Sequence, residues 1–228
     1  MTSFASWLIA LVVAGCGQPL RPGLLYWHGD RAQPKIALTF DDGPNEPYTS
    51  QVLEVLRAND IRATFFLVGK RVEQSPDSAR AIVGAGHAIG NHSYGHPDMA
   101  WQSTAAVERE VEYGEAAIAA ATGKRPRIFR PPFGSIYPVM LREIEHLGYT
   151  VIQWSLAARD WRRPGAKRIA HRILSRAHNG AIILLHDGNG TRGGDRSQTV
   201  EAIKVIIPEL KRRGFQFVTV PELLEIAP

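Results

Sequence analysis

Leu38-Thr39-Phe40-Asp41-Asp42-Gly43-Pro44 decides how this chain is read. The apolar run Ile36-Ala37-Leu38-Thr39-Phe40 ends in two adjacent carboxylates, and a Gly-Pro pair breaks the chain at once. The pattern predicts a buried strand that delivers two acids to the rim of a sheet, then a tight turn. Adjacent like charges repel, so the pair needs a metal ion or an arginine beside it. The plainer reading is a solvated turn, since Asp and Gly favour turns anyway.

Outward from that stretch, apolar strand patterns alternate with helical ones. Strands are predicted at 36–40, 63–68, 88–90, 128–129, 150–154, 181–185 and 215–219, and helices at 49–59, 78–85, 105–122, 137–147, 166–177 and 199–212. Gly86, Gly123, Gly148, Gly180 and Gly214 sit where a left-handed residue closes a helix. Such alternation indicates a parallel α/β architecture. An open doubly wound sheet and a closed barrel both satisfy it. No Gly-x-Gly-x-x-Gly follows the first strand, which weighs against a dinucleotide-binding sheet. The expectation is one domain, a deformed (β/α) barrel of seven or eight strands. Residues 18–34, with three prolines and two glycines, read as a linker or loose extension, so the domain is expected over 35–228.

In such barrels, chemistry lies just beyond the strand C-termini. Polar residues do cluster there: Asp41 and Asp42, then Asn91, His92 and His96, then Arg130 to Gly134, then Asp160 and Trp161, then His186 and Asp187. His92 and His96 stand at i and i+4, a spacing that puts two imidazoles on one side of a helical turn. Two histidines and one Asp of the opening pair would make a metal site with open positions for water. Surface histidines often share this spacing, so alone it is weak, and Gly95 and Pro97 argue against a long regular helix here. His186 ends a buried apolar strand; it reads as a satisfied core residue or as a general acid. Its carboxylate partner would be Asp160 or, second, Asp187. Arg130 precedes two prolines that stiffen its loop, and its guanidinium could hold Asp41. Trp154 and Trp161 read as core, or at an exposed rim as sugar-stacking rings.

With these residues assembled, the chain resembles the polysaccharide deacetylase family (carbohydrate esterase family four, the NodB-homology domain) over about residues 34 to 226. The resemblance rests on Thr39-Phe40-Asp41-Asp42-Gly43-Pro44, His92-Ser93-Tyr94-Gly95-His96, Arg130-Pro131-Pro132-Phe133-Gly134 and Leu184-Leu185-His186-Asp187. It implies Asp41 as general base, Asp42, His92 and His96 as ligands of a divalent metal (usually zinc), and Arg130 as the group orienting the base. It further implies the Phe133 backbone amide as oxyanion donor, and His186 tuned by Asp160 as the catalytic acid. The fourth family motif departs: Asp160-Trp161 is present, but Ala157 stands where an acid is usual. Trp161 is expected to touch substrate. The implied reaction is hydrolysis of N-acetyl groups from N-acetylhexosamine polymers such as peptidoglycan, chitin oligomers or poly-N-acetylglucosamine. An O-acetyl xylan esterase and a noncatalytic glycan-binding module are the alternatives.

The 228 residues, 44% hydrophobic and 21% charged, suit one ordinary globular domain, and the net charge of +5 tolerates anionic partners. Between Arg159 and Arg176 seven Lys/Arg face one acid, Asp160. Arg168, Arg172 and Arg176 recur every four residues, as on a solvated helix face. Arg162, Arg163 and Lys167 would suit an anionic polymer. No nucleic-acid module is recognisable. The single cysteine, Cys16, excludes an intramolecular disulfide and closes an apolar stretch. Val13-Ala14-Gly15-Cys16 resembles a bacterial lipobox, although no Lys or Arg precedes Arg21. Residues 1–15 are therefore expected to be a signal, with export and a lipid anchor on Cys16 at the cell envelope.

Overall fold

Ile36, Leu38 and Phe40 are fully buried against helices, while Ala37, Thr39 and Asp41 point the other way, into the curled interior. Both faces of this strand are therefore dry, as the unbroken apolar run requires. The computed structural model describes residues 24–227; the expected signal segment and Cys16 lie outside the described residues.

In chain order the elements are β1 (Leu25–Tyr26), β2 (Lys35–Gly43), α1 (Tyr48–Ala58), β3 (Thr64–Leu67), α2 (Gly69–Gln74), α3 (Pro76–Gly84), β4 (Ala88–Asn91) and α4 (Thr104–Thr122). There follow β5 (Ile128–Phe129), α5 (Pro138–His146), β6 (Thr150–Ile152), β7 (Leu156–Ala157), α6 (Ala166–Leu174), β8 (Ile182–His186), α7 (Ser197–Arg212), β9 (Gln216–Phe217) and α8 (Val220–Leu224). Eight strands form one path, β1-β6-β5-β4-β3-β2-β8-β7, and β9 pairs with the start of β2. Every named pairing is parallel. The sheet curls until residues 153–155 span its two ends. The Gln153 N–H donates to the Tyr26 carbonyl beside β1 at 2.7 Å, and the Ser155 N–H to the Ile182 carbonyl on β8 at 3.1 Å. This is the deformed barrel, in one domain.

The outer face of the sheet packs on the helices, where each fully buried Ile, Leu or Phe contributes about 1.5–3 kcal/mol. The narrow interior holds Ala37, Phe66, Ile128, Ile152 and Ile182. Gly90 is bare because a Cβ there would overlap the Phe66 ring. The five predicted helix-closing glycines all have positive φ, between 70° and 87°.

Two expectations are corrected. Residues 24–34 are not a loose extension: Leu24 is buried and β1 hydrogen-bonds in register with β6 (Leu25↔Val151, Tyr26↔Ile152). The strand foreseen at 150–154 ends at Ile152, and a separate β7 precedes Asp160. No described helix is long and apolar enough to cross a membrane.

Candidate active site

In a regular strand, adjacent side chains point to opposite faces. Asp41 and Asp42 nevertheless both line one cleft. The reason is local. The β2–β3 register shifts between Asp41 and Gly43, and Asp42 takes a left-handed φ of 73°. This irregularity re-aims the second carboxylate beside the first, as bulges at strand ends do.

Asp41 is held by Arg130, whose Nη1 donates to Asp41 Oδ1 at 2.7 Å and to Thr39 Oγ1 at 2.7 Å. Arg130 is fully buried, and its other nitrogens donate to the Ile152 and Gln153 carbonyls at 3.1 Å each. Its guanidinium also lies 4.0 Å from the Phe66 ring centroid. Burial lowers the Arg130 pKa, opposed by the Asp41 charge. With all three guanidinium nitrogens engaged, Asp41 Oδ1 is fixed, and Oδ2 is left 3.9 Å from His92 Nε2.

Asp42 Oδ1 lies 3.3 Å from His92 Nε2 and 3.0 Å from His96 Nε2, yet makes no hydrogen bond of acceptable geometry among the described residues. His92 Nδ1 is 2.6 Å from the Arg130 carbonyl. A carbonyl only accepts, so Nδ1 carries the proton, and in the neutral ring Nε2 presents a lone pair toward Asp42. Lone pairs facing one another across an orphaned buried oxygen call for a cation. The three donor atoms lie within 4.8 Å of one another. Tetrahedral ligands at about 2.1 Å from a zinc stand about 3.4 Å apart, close to the two separations seen. Burial raises the Asp42 pKa, but interactions with His92, His96 and the His186 charge bring it well below the usual carboxylate range. The donor set thus fits a divalent metal.

The two imidazoles do not meet on a helical turn, contrary to the expectation from their spacing. Residues 92–96 form a loop with positive φ at Ser93 (68°) and His96 (57°). The first amides of α2 hold it: Gly69 N–H donates to the Ser93 carbonyl at 2.9 Å and Lys70 N–H to that of Tyr94 at 3.0 Å. Asn91 accepts from the Ser93 N–H at 3.0 Å and donates to the Val111 carbonyl on α4 at 2.8 Å. A Cβ on Gly114 of α4 would stand 2.5 Å from Asn91 Oδ1, so only glycine lets the helix approach.

At the end of β8, His186 faces the cleft and Nδ1 lies 2.9 Å from Asp160 Oδ1. Asp160 Oδ2 accepts from the His186 N–H at 2.8 Å and from Thr199 Oγ1 at 2.9 Å. Burial pulls the imidazole down, but the Asp160 charge and hydrogen bond, with the Asp42 and Asp41 charges, lift it to about 9. A cation on Asp42 would remove part of that lift. Asp160 itself is raised by burial and lowered further by His186, ending below its ordinary value. Asp187, the second candidate partner, turns away: Thr49 Oγ1 lies 2.5 Å from its Oδ2. Burial pushes Asp187 up to about 7.

The cleft, of about 280 Å³, is walled by Phe133 on one side and Trp161 on the other. Phe133 has φ 60°, is 68% exposed, and meets the His96 ring edge-on at 4.8 Å. The Gly134 and Ser135 amides are engaged, whereas the Phe133 N–H has no partner among the described residues. Trp161, 40% exposed, packs edge-on to His186 at 5.3 Å, so it is a rim residue and not core. Seven of the nine candidate site residues therefore line one cleft, and the other two, Arg130 and Asp160, are buried behind it against Asp41 and His186.

The family profile described as polysaccharide deacetylase matches residues 28–152. The chain belongs to the polysaccharide deacetylase family. It is 40% identical over 204 residues to a peptidoglycan-N-acetylglucosamine deacetylase of Bacillus cereus, spanning 89% of this chain and 93% of that protein. A chitooligosaccharide deacetylase of Bradyrhizobium sp. is 39% identical over 196 residues, 82% of this chain and 90% of its own. Among solved structures, a peptidoglycan N-acetylglucosamine deacetylase superposes with TM-score 0.84 at 32% identity, covering 90% and 94% of the two chains. A family pseudoenzyme from Bacillus anthracis superposes with TM-score 0.81 at 30% identity, covering 88% and 69%. A deacetylase fold is thus compatible with lost activity, and the site residues themselves must carry the functional argument.

Proposed function

We propose that this chain is a zinc-dependent polysaccharide N-deacetylase that hydrolyses N-acetyl groups on N-acetylhexosamine polymers of the cell envelope. The observation that carries this is the division of the two adjacent acids: Asp42 faces two imidazoles, and Asp41 is locked to Arg130. Asp42, His92 and His96 would hold the metal. When bound, the ion supplies Lewis-acid polarisation of the acetamide and lowers the pKa of water at the site.

The chain's own groups then divide the work. Asp41 Oδ2, the oxygen left free by Arg130, takes the proton of the attacking water. The free Phe133 N–H donates to the oxyanion that develops on the acetyl oxygen; one such donor is worth about 2.7–4 kcal/mol in known cases. His186, protonated and aimed by Asp160, gives its proton to the leaving nitrogen, so acetate and a free amine result. Trp161 and Phe133 offer apolar faces to sugar rings. Export, with a lipid on Cys16, completes the reading, because a cell-wall polymer lies outside the cytoplasm. Labelled-lipid incorporation tests the anchor, with Cys16→Ala abolishing the label.

Acetate release tests the main reading. The purified chain should free acetate from N-acetylglucosamine polymers, lose this to a chelator and regain it with Zn²⁺. Acetate from acetylated xylan alone would assign the esterase instead. Glycan binding without acetate from any polymer would assign a noncatalytic module.

A further inference from the structure

The loops flanking the two sides of the cleft differ in charge. On the Phe133 side, residues 131–137 carry no charged group, and of 93–101 only Asp98 is acidic. Asp98 is engaged, accepting from the Ala100 N–H at 3.0 Å and from Ser135 Oγ at 2.8 Å. On the Trp161 side, the loops after β7 and β8 expose Arg159, Arg162, Arg163 and Arg192. The acids of those loops are all committed: Asp160 to His186, Asp187 to the interior, and Asp195 to Arg163. Arg159, Arg162 and Arg192 form no ion pair among the described residues.

These cations are placed, not scattered. Arg159 and Arg162 flank Asp160-Trp161 within a single turn, closed by the Arg162 N–H on the Arg159 carbonyl at 3.3 Å. Arg159 and Arg163 have left-handed φ of 56° and 50°. That conformation costs a non-glycine residue about 1–2 kcal/mol. Strain of this kind collects at functional sites. Arg192 follows Asn189, which lines the cleft, and its N–H donates to the Asn189 carbonyl at 3.3 Å.

We propose that Arg159, Arg162 and Arg192 form a carboxylate-binding wall, and that the preferred substrate is an N-acetylated glycan carrying carboxylates near the reacting sugar. This rests on the deacetylase reading of the site. Exposed guanidinium–carboxylate contacts are individually weak, so two or three together give a preference of about tenfold, sensitive to salt. The carboxylate can be borne by the sugar itself or by an attached peptide; the chemistry of recognition is the same.

The test measures equilibrium binding and acetate release on the full-length chain with three glycans of equal length. One bears its sugar and peptide carboxylates, one is its carboxamide-capped twin, and one keeps the sugar carboxylates with the peptide removed. The charged glycan should bind about tenfold tighter than the capped twin, and the advantage should vanish as salt rises from about 0.05 to about 0.5 M. The third glycan assigns the source: it keeps the advantage if the sugar supplies the carboxylate and loses it if the peptide does. Arg159→Gln/Arg162→Gln should remove most of the preference, and Arg159→Lys/Arg162→Lys should retain it. Arg168→Gln/Arg176→Gln, which removes two charges from α6 and the turn that follows it, should leave it intact. Equal binding of charged and capped glycans, or an equal loss from the α6 variant, overturns the wall. Acetate release with equal binding overturns it while leaving the deacetylase reading standing. Salt-sensitive preference without acetate release supports the wall and sinks the deacetylase reading.

Discussion

The ends of β2 and β8 lie side by side, Asp41 opposite His186 in register, and at each end the chain carries two adjacent polar residues, Asp41-Asp42 and His186-Asp187. Their fates differ. At the end of β2 a register shift and a left-handed Asp42 turn both carboxylates into the cleft. At the end of β8 only His186 faces the cleft, and Asp187 is buried against Thr49. The difference shows what the irregularity does. Without it, strand alternation allows one functional side chain per strand end; with it, β2 supplies a proton acceptor and a metal ligand together. Gly43 is where the two ends touch, because a Cβ there would overlap the Asp187 carboxylate.

The largest expected effect comes from the β2 end. Asp41→Asn should lower kcat by about 10²–10⁴-fold, as loss of a general base does, with bound metal unchanged. Metal analysis beside kinetics checks both halves. Next in size is Arg130→Met. Asp41 would lose its buried partner and four hydrogen bonds would go, at a cost of about 3–5 kcal/mol by denaturant unfolding. A smaller loss, about 1–3 kcal/mol, is expected of Gly43→Ala through overpacking against Asp187. Asp187→Ala in the same chain should restore part of it, and a double-mutant cycle measures the coupling.

The β8 end should show itself in pH dependence. The folded pKa of His186 is raised to about 9 from an ordinary value of about 6.5. Its pairing therefore contributes stability that is full below about pH 6.5 and is lost as pH rises through about 9. The same deprotonation removes the acid, so kcat should fall on the alkaline side. Asp160→Asn should move that limb to lower pH, toward the ordinary histidine value. An unmoved limb would show that another group sets it.

Much of this comparison is legible in the residues alone, for identifiable reasons. The long apolar runs of β2 and β8 announce buried parallel strands, and the polar clusters beyond them announce the rim. Asp41, Asp42, His92, His96, Phe133, Trp161 and His186 all line one cleft, with Arg130 and Asp160 buried directly behind Asp41 and His186. What the residues do not announce is short or depends on register. β1 and β7, two residues each, are too brief for periodicity, and prolines and glycines around β1 imitate a linker. α2 has six residues, but its first amides hold the metal-ligand loop. The i, i+4 spacing points to a helical turn, and Gly95 and Pro97 argue against a long regular helix; left-handed Ser93 and His96 are what bring the rings together. No residue pattern marks the register shift at Asp42, because it appears only when β3 is paired alongside.

The division between the two acids is tested most directly by measuring metal content and acetate release together on Asp41→Asn and Asp42→Asn. The account predicts that Asp41→Asn keeps a full complement of metal and releases acetate at least about 10²-fold more slowly, while Asp42→Asn loses both metal and turnover. Loss of metal from Asp41→Asn, or acetate release by it at the wild-type rate, would contradict the account.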